Sequence, residues 1–323
     1  MVENNRQKTN EVAPPPSRWK RGGWLVVEVL LFVVLMFALT GLLYAMAGFI
    51  DVALGTHINL NLNEVEDINS LAAILVEAVM VIACLTAIGV VRRLSRVVFP
   101  QTRFLVGFAL RKHWREFLAG IGVAAGLYGI GFLVTMLLGE IRIAAVCCHA
   151  GMLGRTWGLF FLVALFEESA CRGFLLGRMM DAGMNKFVAL VLSSAVFSIL
   201  HLGNPNFAVL PFINLLLAGM LLGSAYIYTR NLWFAIALHW FWNWLQGPVL
   251  GFEVSGNRFR ESLLTLEASD NVLLNGGSFG FEGSLVCTVL MLLSAFLIIR
   301  YYERRKQGFD KAKEGLCGAK EGF

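Results

Sequence analysis

Eight stretches of this chain are almost wholly apolar, and each is bounded by charged or turn-forming residues: 24–50, 71–91, 117–138, 157–176, 187–202, 207–229, 231–247 and 283–302. None alternates apolar and polar residues as a half-buried strand does, and most reach the roughly 20 residues that carry a helix across a bilayer core. The pattern predicts an all-α fold, a polytopic transmembrane helix bundle of about eight spans enclosing a polar active-site cavity. The first stretch is too long for the core of a signal peptide and no small-residue cleavage site follows it, so it reads as a retained span.

The polar ends complete the expected organisation. Residues 1–23 are polar and basic, with a run Pro14, Pro15, Pro16, the composition of a disordered cytoplasmic tail. Residues 24–302 form the transmembrane domain, and 303–323 a second basic cytoplasmic tail. The segment 92–115 mixes basic residues with Leu94, Phe99 and Phe104; it reads either as an amphipathic stretch on the membrane surface or as a plain basic loop. The loop 248–282, the longest between spans, either covers a vestibule or merely connects helices.

Composition sharpens the class. With 323 residues, 57% hydrophobic, 15% charged and a mean hydropathy of +0.68, the chain is outside the range of soluble domains. Its net charge of +5 comes with no basic stripe interleaved with aromatics, so no nucleic-acid partner is expected. With both termini inside, 22 of the 27 Lys and Arg fall on the cytoplasmic side, four outside (Arg142, Arg155, Arg258, Arg260) and Arg172 within a span. That bias follows the positive-inside rule. Six cysteines are scattered, mostly in apolar segments, and read as small buried hydrophobes rather than a disulfide framework. Cys147, Cys148 and His149 resemble a soft-metal cluster only superficially, since adjacent cysteines do not easily share one tetrahedral ion.

Candidate chemistry is confined to a few mid-span residues. Glu167, Glu168 and Arg172 lie in one otherwise apolar run, where each charge costs about 2.5 to 3.5 kcal/mol on insertion scales, so three within six residues mark a site. Glu168 and Arg172 are i and i+4 on a helix, the favourable order for an ion pair, while Glu167 projects about 100° away and stays free. His239 and Asn243 share a face by the same spacing, and Phe197 stands one turn from His201. A carboxylate, two imidazoles and an amide meeting in one cavity can activate water and bind an oxyanion. A lone buried His or Asn in a membrane helix is more often interhelical glue; the Glu pair with Arg points to function. Glu77, midway along the second stretch, reads as a structural partner for an interior donor.

These motifs, Glu167-Glu168 with Arg172, Phe197 with His201, and His239 with Asn243, resemble EExxxR, FxxxH and HxxxN of the CAAX prenyl protease and bacteriocin-processing family (CPBP, or Abi), intramembrane glutamate proteases. The resemblance covers a core of about 157–302, including Gly203-Asn204-Pro205-Asn206 and the run from Gly276 to Gly283. It implies that Glu167 acts with His201 to activate water, that His239 and Asn243 stabilise the oxyanion, that Glu168 assists, and that Arg172 and Phe197 support the site. It further implies a metal-independent endopeptidase of CAAX prenyl protease 2 type in the bacterial plasma membrane, with membrane lipid around it and a peptide or protein substrate. No cofactor is expected; no HExxH is present, and zinc on the two His and two Glu is the minor alternative. The competing expectation is a non-proteolytic bacteriocin-immunity or membrane scaffold protein binding through the same cavity. Nothing in the sequence sets the oligomeric state or the side from which the cavity is entered.

Overall fold

The structure, a computed structural model, describes residues 18–54, 71–99, 104–259 and 261–318. Residues 1–17 of the expected N-terminal tail, and Arg260 of the long loop, lie outside the described residues. All eight apolar stretches are helical, in α1 (Arg18–Leu54), α2 (Leu71–Val98), α3 (Leu110–Leu137), α4 (Ala150–Glu168), α6 (Lys186–Leu200), α7 (Val209–Thr229), α8 (Trp233–Trp244) and α10 (Leu285–Gly318). Helix α4 runs on through a π-helical segment, Ser169–Leu176, into α5 (Gly177–Asp181), and α8 through another, Leu245–Val249; the short α9 (Val272–Asn275) precedes α10.

Two observations refine the expected eight-span, all-α bundle. Among the described residues five helices, α1, α2, α3, α7 and α10, are long and apolar enough to cross a membrane, while α6 is a shorter apolar helix of 15 residues. Five of the eight expected spans therefore stand on length and composition alone. The fold is also not purely helical: β1 (Ile141–Val146) and β2 (Leu264–Ala268) pair antiparallel, with Arg142 opposite Glu267 and ion-paired to it at 3.0 Å. Pairing partners 118 to 127 residues apart leave no local signal. The helices also overrun the tails, α1 beginning at Arg18 and α10 continuing to Gly318.

The bundle centres on α4, which packs between α2 and α8; α3 lies along α8, α7 against α6 and α10, and α1 against α2. Small residues set the close approaches. A Cβ on Gly219 of α7 would stand 2.8 Å from the Ser194 backbone of α6, so only glycine lets these two helices meet there. Asn185 caps α6, its side chain accepting from the Phe187 amide at 2.9 Å, the arrangement that satisfies a helix's orphan donors.

A buried ionic cluster ties α1 to the end of α4. Glu28, 1% exposed, accepts two hydrogen bonds from Arg178, at 2.8 and 2.9 Å, and one from Ser95 at 2.5 Å. Arg178 also reaches Asp181 at 3.0 Å, Asp181 pairs with Arg230, and the Arg178 guanidinium stacks over Phe104 at 4.6 Å. The segment after α2 is thus anchored inward by Phe104, 2% exposed, and forms no separate surface helix among the described residues. Of the cysteines, Cys84, Cys171 and Cys287 are buried as expected, whereas Cys147 and Cys148 are exposed beside β1.

Candidate active site

A cavity of about 530 Å³ opens between α2, α4, α6, α7 and α8. Glu167, His201, His239 and Asn243 line it, with Phe197 and Trp242 on its wall. Three separate helices, α4, α6 and α8, therefore supply the residues singled out in the sequence.

The helix geometry separates the two carboxylates as their spacing requires. Glu168 is fully buried and Glu167 is 24% exposed to the cavity. Glu168 Oε1 accepts from Arg172 at 2.8 Å and lies 2.8 Å from His239 Nδ1. Arg172 also donates to the Gly219 carbonyl at 3.3 Å and stacks over the Phe197 ring at 4.3 Å. A buried charge needs such partners on every side. The π-helical segment begins directly after Glu168, and π-bulges of this kind sit mostly at functional sites because they re-aim side chains out of the ordinary α-helical register.

His201 lies at the C-terminal end of α6, where helix carbonyls lose their amide partners. Its Nδ1 stands 2.8 Å from the Phe197 carbonyl oxygen; a carbonyl only accepts, so Nδ1 carries the proton and the neutral ring presents the Nε2 lone pair. That Nε2 is 3.9 Å from Glu167 Oε2, and His239 Nε2 is 3.9 Å from the same oxygen. These separations are too long for direct hydrogen bonds and suit groups bridged by one small molecule. Glu167 Oε2 and Glu168 Oε2 are buried without a hydrogen-bond partner, which in a native structure calls for a functional explanation. Asn243 lines the cavity one turn beyond His239, 6% exposed. Phe197 packs its ring 4.6 Å from His201 and 6.1 Å from His239, so it fixes both imidazoles.

Two groups escaped the sequence reading. Glu282, at the start of α10's leading turn, also lines the cavity; it accepts from Trp242 Nε1 at 2.8 Å, from the Ser255 amide at 3.0 Å and from the Ser255 hydroxyl at 2.7 Å. Asn204 binds the Ser255 carbonyl at 3.0 Å, and Gly280 turns the chain at φ 92°, a conformation that favours glycine. The long loop thereby contributes Val254, Ser255 and Asn257 to the lining of the cavity. Its anchor is tertiary and had no pattern to betray it. Glu28 is different: a single carboxylate in an apolar span is itself a signal, and it belonged with the mid-span residues. Glu77 lines the cavity as well, with Oε2 buried and unpartnered, so the structural donor expected for it is not found among the described residues.

For a metal, the donors fall short: among the described residues no three His, Cys, Asp or Glu side chains are grouped so as to hold an ion. His239 Nδ1 is committed to Glu168 and His201 Nδ1 to a carbonyl, which leaves only the two Nε2 atoms as nitrogen donors on the cavity.

The fold and site together define an integral membrane protein of helices around a carboxylate and imidazole centre. Residues 149–245 match the family described as Rce1-like, type II CAAX prenyl endopeptidase, so the family resemblance carried by the three motifs is borne out over that stretch, which contains all of them. No curated protein and no solved structure matches the chain.

Proposed function

We propose that this protein is an intramembrane endopeptidase that hydrolyses a peptide bond of a membrane-associated or lipidated peptide or protein, without a metal. The observation that carries the reading is the position of Glu167 Oε2, buried, unpartnered and 3.9 Å from each of two imidazole Nε2 atoms. Water held between Glu167 and His201 meets two acceptors, so both of its protons are drawn away from the attacking oxygen. Attack on the scissile carbonyl gives a tetrahedral oxyanion as the proton passes to the Glu167–His201 pair. The C–N bond then breaks and that proton goes to the leaving amine.

His239 contributes charge stabilisation only in its imidazolium form. With Nδ1–H directed at Glu168, a neutral ring would turn a lone pair toward the cavity; protonated, it donates from Nε2. Glu167 and Glu168 as carboxylates, with Arg172 and His239 as cations, then sum to zero charge in the low-dielectric interior, where an uncompensated charge is costly. Asn243 supplies the second, neutral donor to the oxyanion. Glu168 and Arg172 act by holding His239. Counted for an even number of spans, the Lys and Arg bias along the chain supports termini on the cytoplasmic side.

The test uses the full chain in nanodiscs: membrane peptides captured by Glu167→Gln are compared with those captured by wild type, and products are sequenced after digestion in ¹⁸O-labelled water. Expected are peptides held intact by the variant and cut by wild type, with ¹⁸O in the new carboxylate. Peptides that wild type binds and never cuts would replace the protease with the scaffold or immunity reading.

A further inference from the structure

Glu77 sits on α2, outside the stretch that matches the protease family, yet its carboxylate enters the same cavity. The cavity walls carry three acidic residues, Glu77, Glu167 and Glu282, and no Lys or Arg. Glu282 is saturated by three donors and Glu167 faces two imidazoles. Among the described residues Glu77 Oε2 is buried and has neither. An apolar residue would pack this part of α2 at lower cost, because a buried carboxylate oxygen without a donor is unfavourable until a cation arrives.

The height of Glu77 follows from a neighbouring contact. Cys84 Sγ donates to the Phe166 carbonyl at 3.9 Å, which sets α2 against α4 beside Glu167. Glu77 precedes Cys84 by seven residues, about 10 Å at 1.5 Å per residue. An extended peptide covers that distance in about three residues.

Resting on the protease reading above, we propose that Glu77 is a specificity-determining residue that accepts a cationic side chain, lysine or arginine, of the substrate within about three residues of the scissile bond.

The probes are capped leucine–alanine peptides carrying one lysine at successive positions, and the same peptides with norleucine or glutamate in its place, presented to the full chain in nanodiscs. Wild type is expected to show a kcat/KM ratio of lysine to norleucine of about tenfold or more at one position within three residues of the cut. In Glu77→Gln and Glu77→Met the ratio falls below about threefold, and in Glu77→Lys the glutamate peptide overtakes the lysine peptide. A ratio unchanged in Glu77→Gln and Glu77→Met, including an equal loss on both peptides, overturns the proposal. If wild type cuts none of the peptides, Kd values for the same set decide: lysine selectivity that disappears with Glu77→Gln upholds the subsite while the protease reading fails, and equal affinities sink the subsite itself.

Discussion

Two buried ionic clusters lie on the same helical column, and they are finished differently. Around Arg178, charge is met by charge: Glu28 receives Arg178 twice and Ser95 once, and Asp181 receives Arg178 and Arg230. Around Arg172, two carboxylate oxygens, on Glu167 and Glu168, are left buried without a hydrogen bond, and two imidazole nitrogens face one of them across 3.9 Å. Both clusters pay desolvation; among the described residues the first leaves one buried donor, Arg230 Nη1, unpaired, but only the second leaves unpaired carboxylate oxygens, one of them on the residue that lines the cavity. Intramembrane charge by itself therefore marks importance; unspent hydrogen-bonding capacity beside a cavity marks chemistry.

The largest expected effect is on the unspent oxygen. Glu167→Gln keeps the shape and removes the base, and cleavage should fall to background while the thermal midpoint in detergent stays near that of wild type; near-normal turnover would remove Glu167 from its role. Next is Asn243→Ala, which takes away one oxyanion donor and should cost about 10² to 10³ in kcat, leaving measurable activity. An Asn243→Ala loss as complete as that of Glu167→Gln would mean that donor and base do not divide the work as described.

The comparison between clusters is broken most directly at the arginines. Arg172→Ala and Arg178→Ala each strand a buried carboxylate and should each lower stability by about 3 to 5 kcal/mol. Per folded molecule, only Arg172→Ala should also lower turnover, because Glu168 then loses its hold on His239; unfolding midpoints with activity normalised to folded protein read both. An Arg178→Ala enzyme with reduced kcat per folded molecule would show that the two clusters are coupled. The smallest effect is expected from strong chelators, which should leave cleavage unchanged; loss with chelator and recovery with zinc would overturn the metal-free reading.

Much of the site was legible because helical spacing is a local rule. Glu168 and Arg172 at i and i+4 had to face each other, and Glu167 had to turn elsewhere; the exposures of 0% and 24% follow. Phe197 and His201 likewise meet within one turn. Glu28 was detectable as a lone charge in an apolar span, although its partner 150 residues away was not. The β1–β2 pair and the Glu282 clamp had no signature, since each joins segments whose own sequences are unremarkable for a loop.

By itself the sequence determined that this is a membrane-embedded helical protein, where its apolar helices lie, and which residues share a helical face, because hydropathy and the 3.6-residue period act over neighbours along the chain. Only the tertiary structure decided that α4, α6 and α8 point their polar residues at one oxygen, that the protonated nitrogen of His201 is held by a carbonyl, that a distant loop lines the cavity, and that Glu77 enters it. Those facts depend on the height and rotation of one helix against another, which close packing fixes through contacts between residues far apart in sequence.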